Sequence, residues 1–296
     1  MKKIAPFMVL LAGILWGSNG IFVRLLADSG LNSFERAAIK VSIAAFVGFV
    51  LIYITDRKKL QVDRQDLIWF MLAGAFGIFG FNVAYTACIN LVGMGTASVL
   101  IYLMPAIVTI YSCLFLKEKF TAVKGLSLIL NLAGCALVSG ILSDSHFDLM
   151  GVLAGIFTAF CYAFLNIMIS TRLKKYDALT RTFYPTLGAA ICSFVYVMLF
   201  SEHGKIITVL SSRPQYILIC TLWALTNAVC TCYLINTALN YIDVVKVSML
   251  STFEPVAAVL FGTILFKEKI DIYGIIGVIM VVISLIIPEL KKKDTE

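Results

Sequence analysis

The sequence predicts an all-α polytopic membrane protein of ten transmembrane helices, arranged as two inverted five-helix repeats. Three observations lead there. The composition is 60% hydrophobic and 14% charged over 296 residues, with a mean hydropathy of +0.96. Soluble domains carry roughly a quarter charged residues. The apolar runs are about 20 residues long, enough for one helical crossing of a bilayer, and lack the alternation of barrel strands. A tandem pattern of residues recurs in the second half of the chain at a fixed spacing.

Ten spans follow in order: Ile4–Leu26, Ala37–Thr55, Leu67–Asn90, Thr96–Leu116, Val123–Leu142, Leu149–Ser170, Leu179–Phe200, Tyr216–Leu239, Val244–Phe266 and Ile272–Ile287. The first begins right after Met1-Lys2-Lys3 and runs too long for a signal-peptide core, so it reads as an uncleaved span. Before the second, Asn32 and Glu35 have the spacing of a capping box. Short connections make successive helices antiparallel neighbours. With the N-terminus in the cytoplasm, 17 of the 24 basic residues fall on the inner side, the bias that fixes orientation. An even number of spans returns Lys291-Lys292-Lys293 to the same side. The expectation is a multi-pass plasma-membrane protein with both termini cytoplasmic. His146 and His203 fall in outer loops.

The repeat is explicit. At an offset of 150 residues, Ala97-Ser98-Val99-Leu100 corresponds to Val247-Ser248-Met249-Leu250. Met104-Pro105 corresponds to Glu254-Pro255, Leu116-Lys117-Glu118-Lys119 to Phe266-Lys267-Glu268-Lys269, and Asn90 to Asn240. Nearer the start of each half, Leu11-Ala12-Gly13-Ile14 matches Leu153-Ala154-Gly155-Ile156 at an offset of 142. The halves divide at 1–143 and 144–296. Five spans per half is odd, so the second half enters the membrane upside down and Lys117 and Lys267 lie on opposite sides. Inverted repeats suit alternating access to a central site.

These residues carry a resemblance. Trp16-Gly17, Arg36, Pro105 with Leu116-Lys117-Glu118-Lys119, and Glu254-Pro255 with Phe266-Lys267-Glu268-Lys269 resemble the drug/metabolite transporter superfamily, specifically bacterial proteins with two EamA domains. The resemblance spans the whole chain. It implies a ten-helix fold, a cavity shared by both halves and carriage of small metabolites, without fixing one substrate.

Polar and aromatic residues within apolar spans are costly against lipid and turn toward protein or a wet cavity. Trp16 and Asn19 lie three apart in the first span, Asn82 and Tyr85 in the third; Thr158, Tyr162 and Asn166 form a stripe in the sixth. Trp223, Asn227, Cys230 and Tyr233 do so in the eighth, with Thr226 beside them. Together with Tyr102 and Glu254 they are the candidate substrate-binding residues. The alternative for each amide is a hydrogen bond that merely joins helices. Pro105 and Pro255 are expected to kink the fourth and ninth spans, next to the stripes Ser98-Tyr102-Thr109 and Ser248-Thr252-Val259. Glu254 is the one carboxylate deep within a span. It could couple protons or hold a cationic group, but a structural acid beside the kink is the reading the sequence favours. Gly13 with Gly17, Gly151 with Gly155, and Gly74, Gly77 and Gly80 point to close helix packing.

Other chemistry is disfavoured. The eight cysteines lie within apolar runs and read as small core residues, not disulfides or metal ligands. There is no nucleotide-binding loop and no histidine within a span, so neither ATP drive nor hydrolysis is expected. The chain is not expected to be an enzyme or to need a metal or cofactor. No Lys or Arg is expected at mid-membrane, which disfavours phosphorylated substrates. The function expected is secondary transport of small organic metabolites, amino-acid-like, zwitterionic, cationic or neutral, as an exporter or facilitator. The alternative is a non-transporting component such as a lipid-carrier or flippase subunit. Expected partners are a small-molecule substrate and the lipid bilayer, with a coupling proton or cation as a further candidate and nucleic acid excluded.

Overall fold

A computed structural model describes residues 1–139, 148–202, 204–267 and 271–293, with side chains up to residue 287. His146, His203, Glu268 and Lys269, and the side chains of Lys291, Lys292 and Lys293, lie outside the described residues. The described chain is helical throughout and carries no strand.

The first span is α1 (Ala5–Gly17) and α2 (Asn19–Leu25), joined at Ser18. The second, α3 (Ser33–Thr55), starts four residues earlier than the hydropathy suggests. The reason is the capping box: Asn32 Oδ1 accepts the Glu35 backbone N–H at 2.9 Å and Glu35 Oε2 accepts that of Asn32 at 2.8 Å. This satisfies two free donors at the helix start and leaves the Glu35 carboxylate buried, 3.4 Å from Lys205 Nζ.

The third span is α4 (Arg64–Gly74), a π-helical turn over Ala75–Gly80, and the first part of α5 (Phe81–Ile101). Gly93, at φ 83° and ψ 163°, interrupts α5, a backbone that only glycine adopts at no steric cost. It ends the third span where hydropathy placed a loop. The fourth span resumes in α5, stops at Ile101 and restarts as α6 (Met104–Phe115). Then come α7 (Ala122–Val138), α8 (Leu149–Ser170) and α9 (Ala178–Phe200). A short amphipathic helix, α10 (Lys205–Ser212), unforeseen in the sequence, lies along the surface. Its Ile206, Val209 and Leu210 pack near Leu26 and Tyr216. The eighth span is α11 (Pro214–Ala224), a π-helical turn over Leu225–Cys230, and α12 (Thr231–Ala238). The ninth is α13 (Val244–Ser251) and α14 (Glu254–Phe266), and α15 (Ile272–Lys293) closes the described chain.

Among the described residues, seven helical stretches are long and apolar enough to cross a membrane, and Met104–Phe115, Ala122–Val138 and Ile272–Ile287 are shorter apolar helices. This is a polytopic membrane protein.

The offset of 150 residues extends from letters to geometry. The π-helical turns at 75–80 and 225–230 obey it. So do the helix breaks before Met104 and Glu254 and the starts of α7 and α15. Lys117 and Lys267 both take φ 56°, a left-handed conformation rare for a residue with a Cβ. The prolines act differently from the expected kink. Pro105 and Pro255 stand in the first turn of α6 and α14, where a helix has no partner for the N–H that proline lacks. Each span therefore ends and restarts instead of bending. Asn131 braces the second break, donating to Thr252 Oγ1 at 2.6 Å and Ser284 Oγ at 3.1 Å.

Packing joins corresponding pieces of the two halves. α3 lies against α9, and α7 against α15. At the α7–α15 crossing, a Cβ on Gly134 would sit 2.9 Å from the Gly277 carbonyl oxygen, and one on Gly277 2.7 Å from that of Gly134. Only two glycines allow that approach. α1 packs on α12 and α14, while α8 packs on α5. Gly13 and Gly17 meet Phe253, Glu254 and Ala257; Gly151 and Gly155 meet Leu91, Val92 and Leu100. The glycine pairs are packing devices, as expected.

Candidate functional site

The break between α13 and α14 places Glu254 in the first turn of a helix that begins inside the bundle. Unpaired N–H groups at such a start favour a negative charge. The Glu254 carboxylate is half-buried, and among the described residues it accepts no hydrogen bond from the protein. A dry structural acid would have a donor, so this geometry opposes the structural reading the sequence favoured. The groups within its electrostatic reach are Lys40, Tyr85, Tyr102 and Cys135 and Tyr162.

Lys40 corrects the sequence expectation. The count of basic residues puts it with the seven outer charges, and no Lys or Arg is expected at mid-membrane. The earlier start of α3 puts Lys40 in its second turn, with Nζ 4.6 Å from the centroid of the Trp223 ring. An ammonium at that range over an aromatic face is attracted by the ring's quadrupole. Glu254 and Lys40 thus set opposite charges within electrostatic reach of each other.

Aromatic rings wall this place. Trp16 meets Tyr162 edge-on at 6.0 Å between centroids, and Phe81 lies 5.6 Å from Tyr162 and 5.7 Å from Tyr85. Phe22 stacks on Trp223 at 6.4 Å. The indoles are fixed by their N–H groups. Trp16 Nε1 donates to the Asn227 carbonyl at 3.2 Å, and Trp223 Nε1 to Asn19 Oδ1 at 2.8 Å. Asn227 donates to Ser18 Oγ at 3.3 Å and Thr226 Oγ1 at 3.0 Å, while its buried Oδ1 has no partner. The Tyr85 hydroxyl lies 3.3 Å from Ser98 Oγ.

Of the residues predicted from sequence, Trp16, Asn19, Trp223 and Asn227 form one hydrogen-bonded group. Tyr85, Tyr102 and Tyr162 lie within electrostatic reach of Glu254. Asn82 and Asn166 spend their amide donors on their own helices, at Ile78 (2.7 Å) and Tyr162 (2.9 Å). At Asn82 the acceptor is a carbonyl of the π-helical turn. Tyr233 is not brought to the site. It is 40% exposed, and Cys230 is exposed too. The π-helical turn is the reason: its wider winding shifts the register, so beyond residue 230 the inward face passes to Thr231, Cys232, Ile235 and Asn236.

A small cavity of about 30 Å³ between α8, α9 and α12 is lined by Trp16, Tyr162, Asn166, Arg181, Thr182 and Cys232 among others. That is room for a water or two, too little for a metabolite in this conformation. No group of side chains suited to a metal is present among the described residues.

Comparison with known proteins follows the same lines. Residues 3–140 and 149–288 each match the EamA-like transporter family. An uncharacterized transporter of Bacillus subtilis, YoaV, is 24% identical over 275 residues, covering 90% of each chain. An uncharacterized transporter of Archaeoglobus fulgidus is 25% identical over 287 residues, 94% of each chain. An uncharacterized inner membrane transporter of Salmonella typhimurium, YicL, is 21% identical over 290 residues, 96% of this chain and 95% of its own. A crystal structure aligns over 100% of both chains with a TM-score of 0.83 at 17% identity, a likeness of fold.

Proposed function

Since the chain belongs to the EamA-like transporter family, and so is a transporter and not an enzyme, we propose that it carries small zwitterionic metabolites of amino-acid type through a central site at Glu254 and Lys40. The ten spans form two inverted halves, 1–143 and 144–296, in the plasma membrane with both termini in the cytoplasm. The repeated π-helical turns, helix breaks and left-handed lysines support the two-half reading, and the basic-residue bias supports the orientation.

One observation carries the substrate class: an unpaired carboxylate and an ammonium within electrostatic reach of each other, in a site walled by Trp16, Tyr85, Tyr102, Tyr162 and Trp223. A substrate ammonium sits at Glu254, near the tyrosine faces, and a substrate carboxylate sits toward Lys40. A phosphate or a plain cation satisfies one protein charge and opposes the other. A lipid carrier would favour an apolar lateral opening, and two charges at the site speak against it.

Alternating access then follows from the architecture. α1 packs on α12 and α14 and α8 on α5 and α6, so each opens its half against elements of the other half, and rocking one half against the other exposes the site to either side. Counterflow of a labelled panel in liposomes containing the purified protein tests the assignment. Amino acids exchanging faster than sugars, sugar phosphates and organic cations is the expected result. Exchange confined to phosphorylated or purely cationic compounds would overturn it.

A further inference from the structure

The cavity is also lined by Arg181, whose side chain has no exposure at all. A guanidinium does not shed its charge in a protein, so this is a full positive charge taken out of water. Its contacts are neutral. Nη2 donates to the Asn236 carbonyl at 2.6 Å and to Asn240 Oδ1 at 2.5 Å, and Nη1 to the Ile169 carbonyl at 3.5 Å. The Nε–H, also buried, has no acceptor among the described residues.

A buried arginine is ordinarily matched by a carboxylate in contact with it. Here the nearest acid is Asp177, one turn earlier on the chain, and it acts only through space. Its Oδ1 is occupied by the Leu179 N–H at 2.9 Å and by Lys59 Nζ at 3.2 Å. The remaining polar residues of the cavity, Asn166, Thr182, Thr186 and Asn236, add no negative charge. Ile169 and Asn236 stand near the C-terminal ends of α8 and α12, so capping those ends explains the Nη contacts. It does not explain the idle Nε–H facing no acceptor, nor the missing counter-charge beside a cavity.

We propose that Arg181 is a binding point for the carboxylate of a small organic molecule in this cavity, a second subsite distinct from Glu254 and Lys40. The planar fork of arginine is matched to a carboxylate, which can take the Nε–H together with a neighbouring Nη–H. Seven residues of α8 separate Tyr162, within electrostatic reach of Glu254, from Ile169, whose carbonyl accepts from Arg181. At the rise of a helix that is about 10 Å, several times the amine-to-carboxylate separation of an α-amino acid. One substrate molecule therefore meets the two subsites in succession. Asn236, Asn240 and Ile169 already hold the Nη groups, and a carboxylate arriving there competes with them for the guanidinium. The subsite rests on the transport reading for its biological meaning, but not for its detection.

The test is binding of sodium acetate to the full-length purified protein, followed by tryptophan fluorescence, since Trp16 lines the same cavity. Sodium chloride and methylammonium chloride at equal ionic strength are the comparisons. Acetate is expected to give a saturable change and the other two none. Asn240→Asp keeps the shape and the contact but supplies an internal carboxylate to Arg181, so it should weaken acetate at least tenfold in a protein that stays monodisperse. Arg181→Lys, which loses the fork but keeps the charge, should weaken it as well. No saturable acetate signal in the wild type, an equal signal with chloride, or wild-type acetate binding in both variants would overturn the proposal and leave Arg181 a helix cap. The readout needs no transport, so a failed counterflow assay with intact acetate binding would count against the transport reading alone.

Discussion

Gly17→Ala is the substitution whose outcome the geometry constrains most closely. A Cβ at Gly17 would lie 2.6 Å from Ala257 Cβ, 2.8 Å from the Ala258 nitrogen and 2.9 Å from the Glu254 carbonyl oxygen. Non-bonded carbon atoms rest at about 3.5–4.0 Å, so α1 and α14 must part by roughly 1 Å. Two of the three obstacles are backbone and cannot rotate aside. Overpacking of this kind costs about 1–3 kcal/mol, set against about 1 kcal/mol gained when alanine replaces glycine in a helix. Gly20 is the control. It lies in α2 on the same span with nothing within 4 Å of its added Cβ, so Gly20→Ala collects the gain alone. The two variants should differ in stability by about 1–3 kcal/mol, with Gly17→Ala the weaker. Trp16 is the neighbour of Gly17, and Glu254 lies across the contact. A shift of about 1 Å between them should also cut transport tenfold or more, as such misplacements do in other preorganised sites. Thermal unfolding of the purified variants and counterflow in liposomes are the assays. Equal melting and equal transport for Gly17→Ala and Gly20→Ala would refute the close α1–α14 contact.

Three further outcomes are expected. Single cysteines at Lys117 and Lys267, in a background without the native cysteines, should react with an impermeant reagent from opposite sides of the membrane; reaction from one side would end the inverted-repeat reading. Asn32→Ala should lower stability by about 1 kcal/mol and Asn32→Asp much less, because only the former removes the cap on α3; identical melting of the two would mean the cap carries nothing. Outside the membrane, hydrogen bonds from Lys175 (2.6 Å) and Tyr176 hold the Asp63 carboxyl below its usual range. A depressed carboxyl stabilises the fold above its unfolded value, about 3.9, and that contribution is lost as pH falls through the folded value. The small deficit of Asp63→Asn at neutral pH should therefore close on acidification, and a deficit unchanged in acid would contradict the pairing.

Hydropathy and the internal repeat made most of the fold legible. The α8 boundaries were read to the residue, and α9 to within one, because long apolar runs with short polar joints leave little choice. What escaped was local backbone detail. A π-helical turn has no hydropathy signature, so the stripe from Trp223 and Asn227 was carried forward at regular spacing to Cys230 and Tyr233, both exposed in the structure. Lys40 is only the fourth residue of the span that hydropathy starts at Ala37, close enough to its end to pass for an outer charge, whereas the Asn32–Glu35 cap starts the helix at Ser33 and places Lys40 seven residues in. Glu254 was singled out as the lone deep carboxylate, but its distinction from a structural acid, the lack of a donor, is a three-dimensional fact. Arg181 is the third residue of the span that hydropathy starts at Leu179, and nothing in the sequence marks its complete burial.

The central claim is that Glu254 works as a charge on the substrate. Counterflow of the best-exchanged amino acid, measured side by side for wild type, Glu254→Gln and Glu254→Ala, tests it most directly, because glutamine keeps the size and much of the hydrogen-bonding capacity while removing the charge. The expected result is a loss of at least tenfold in Glu254→Gln, close to that in Glu254→Ala, with both proteins folded and inserted. Wild-type exchange by Glu254→Gln would contradict the claim and return Glu254 to a structural role at the start of α14.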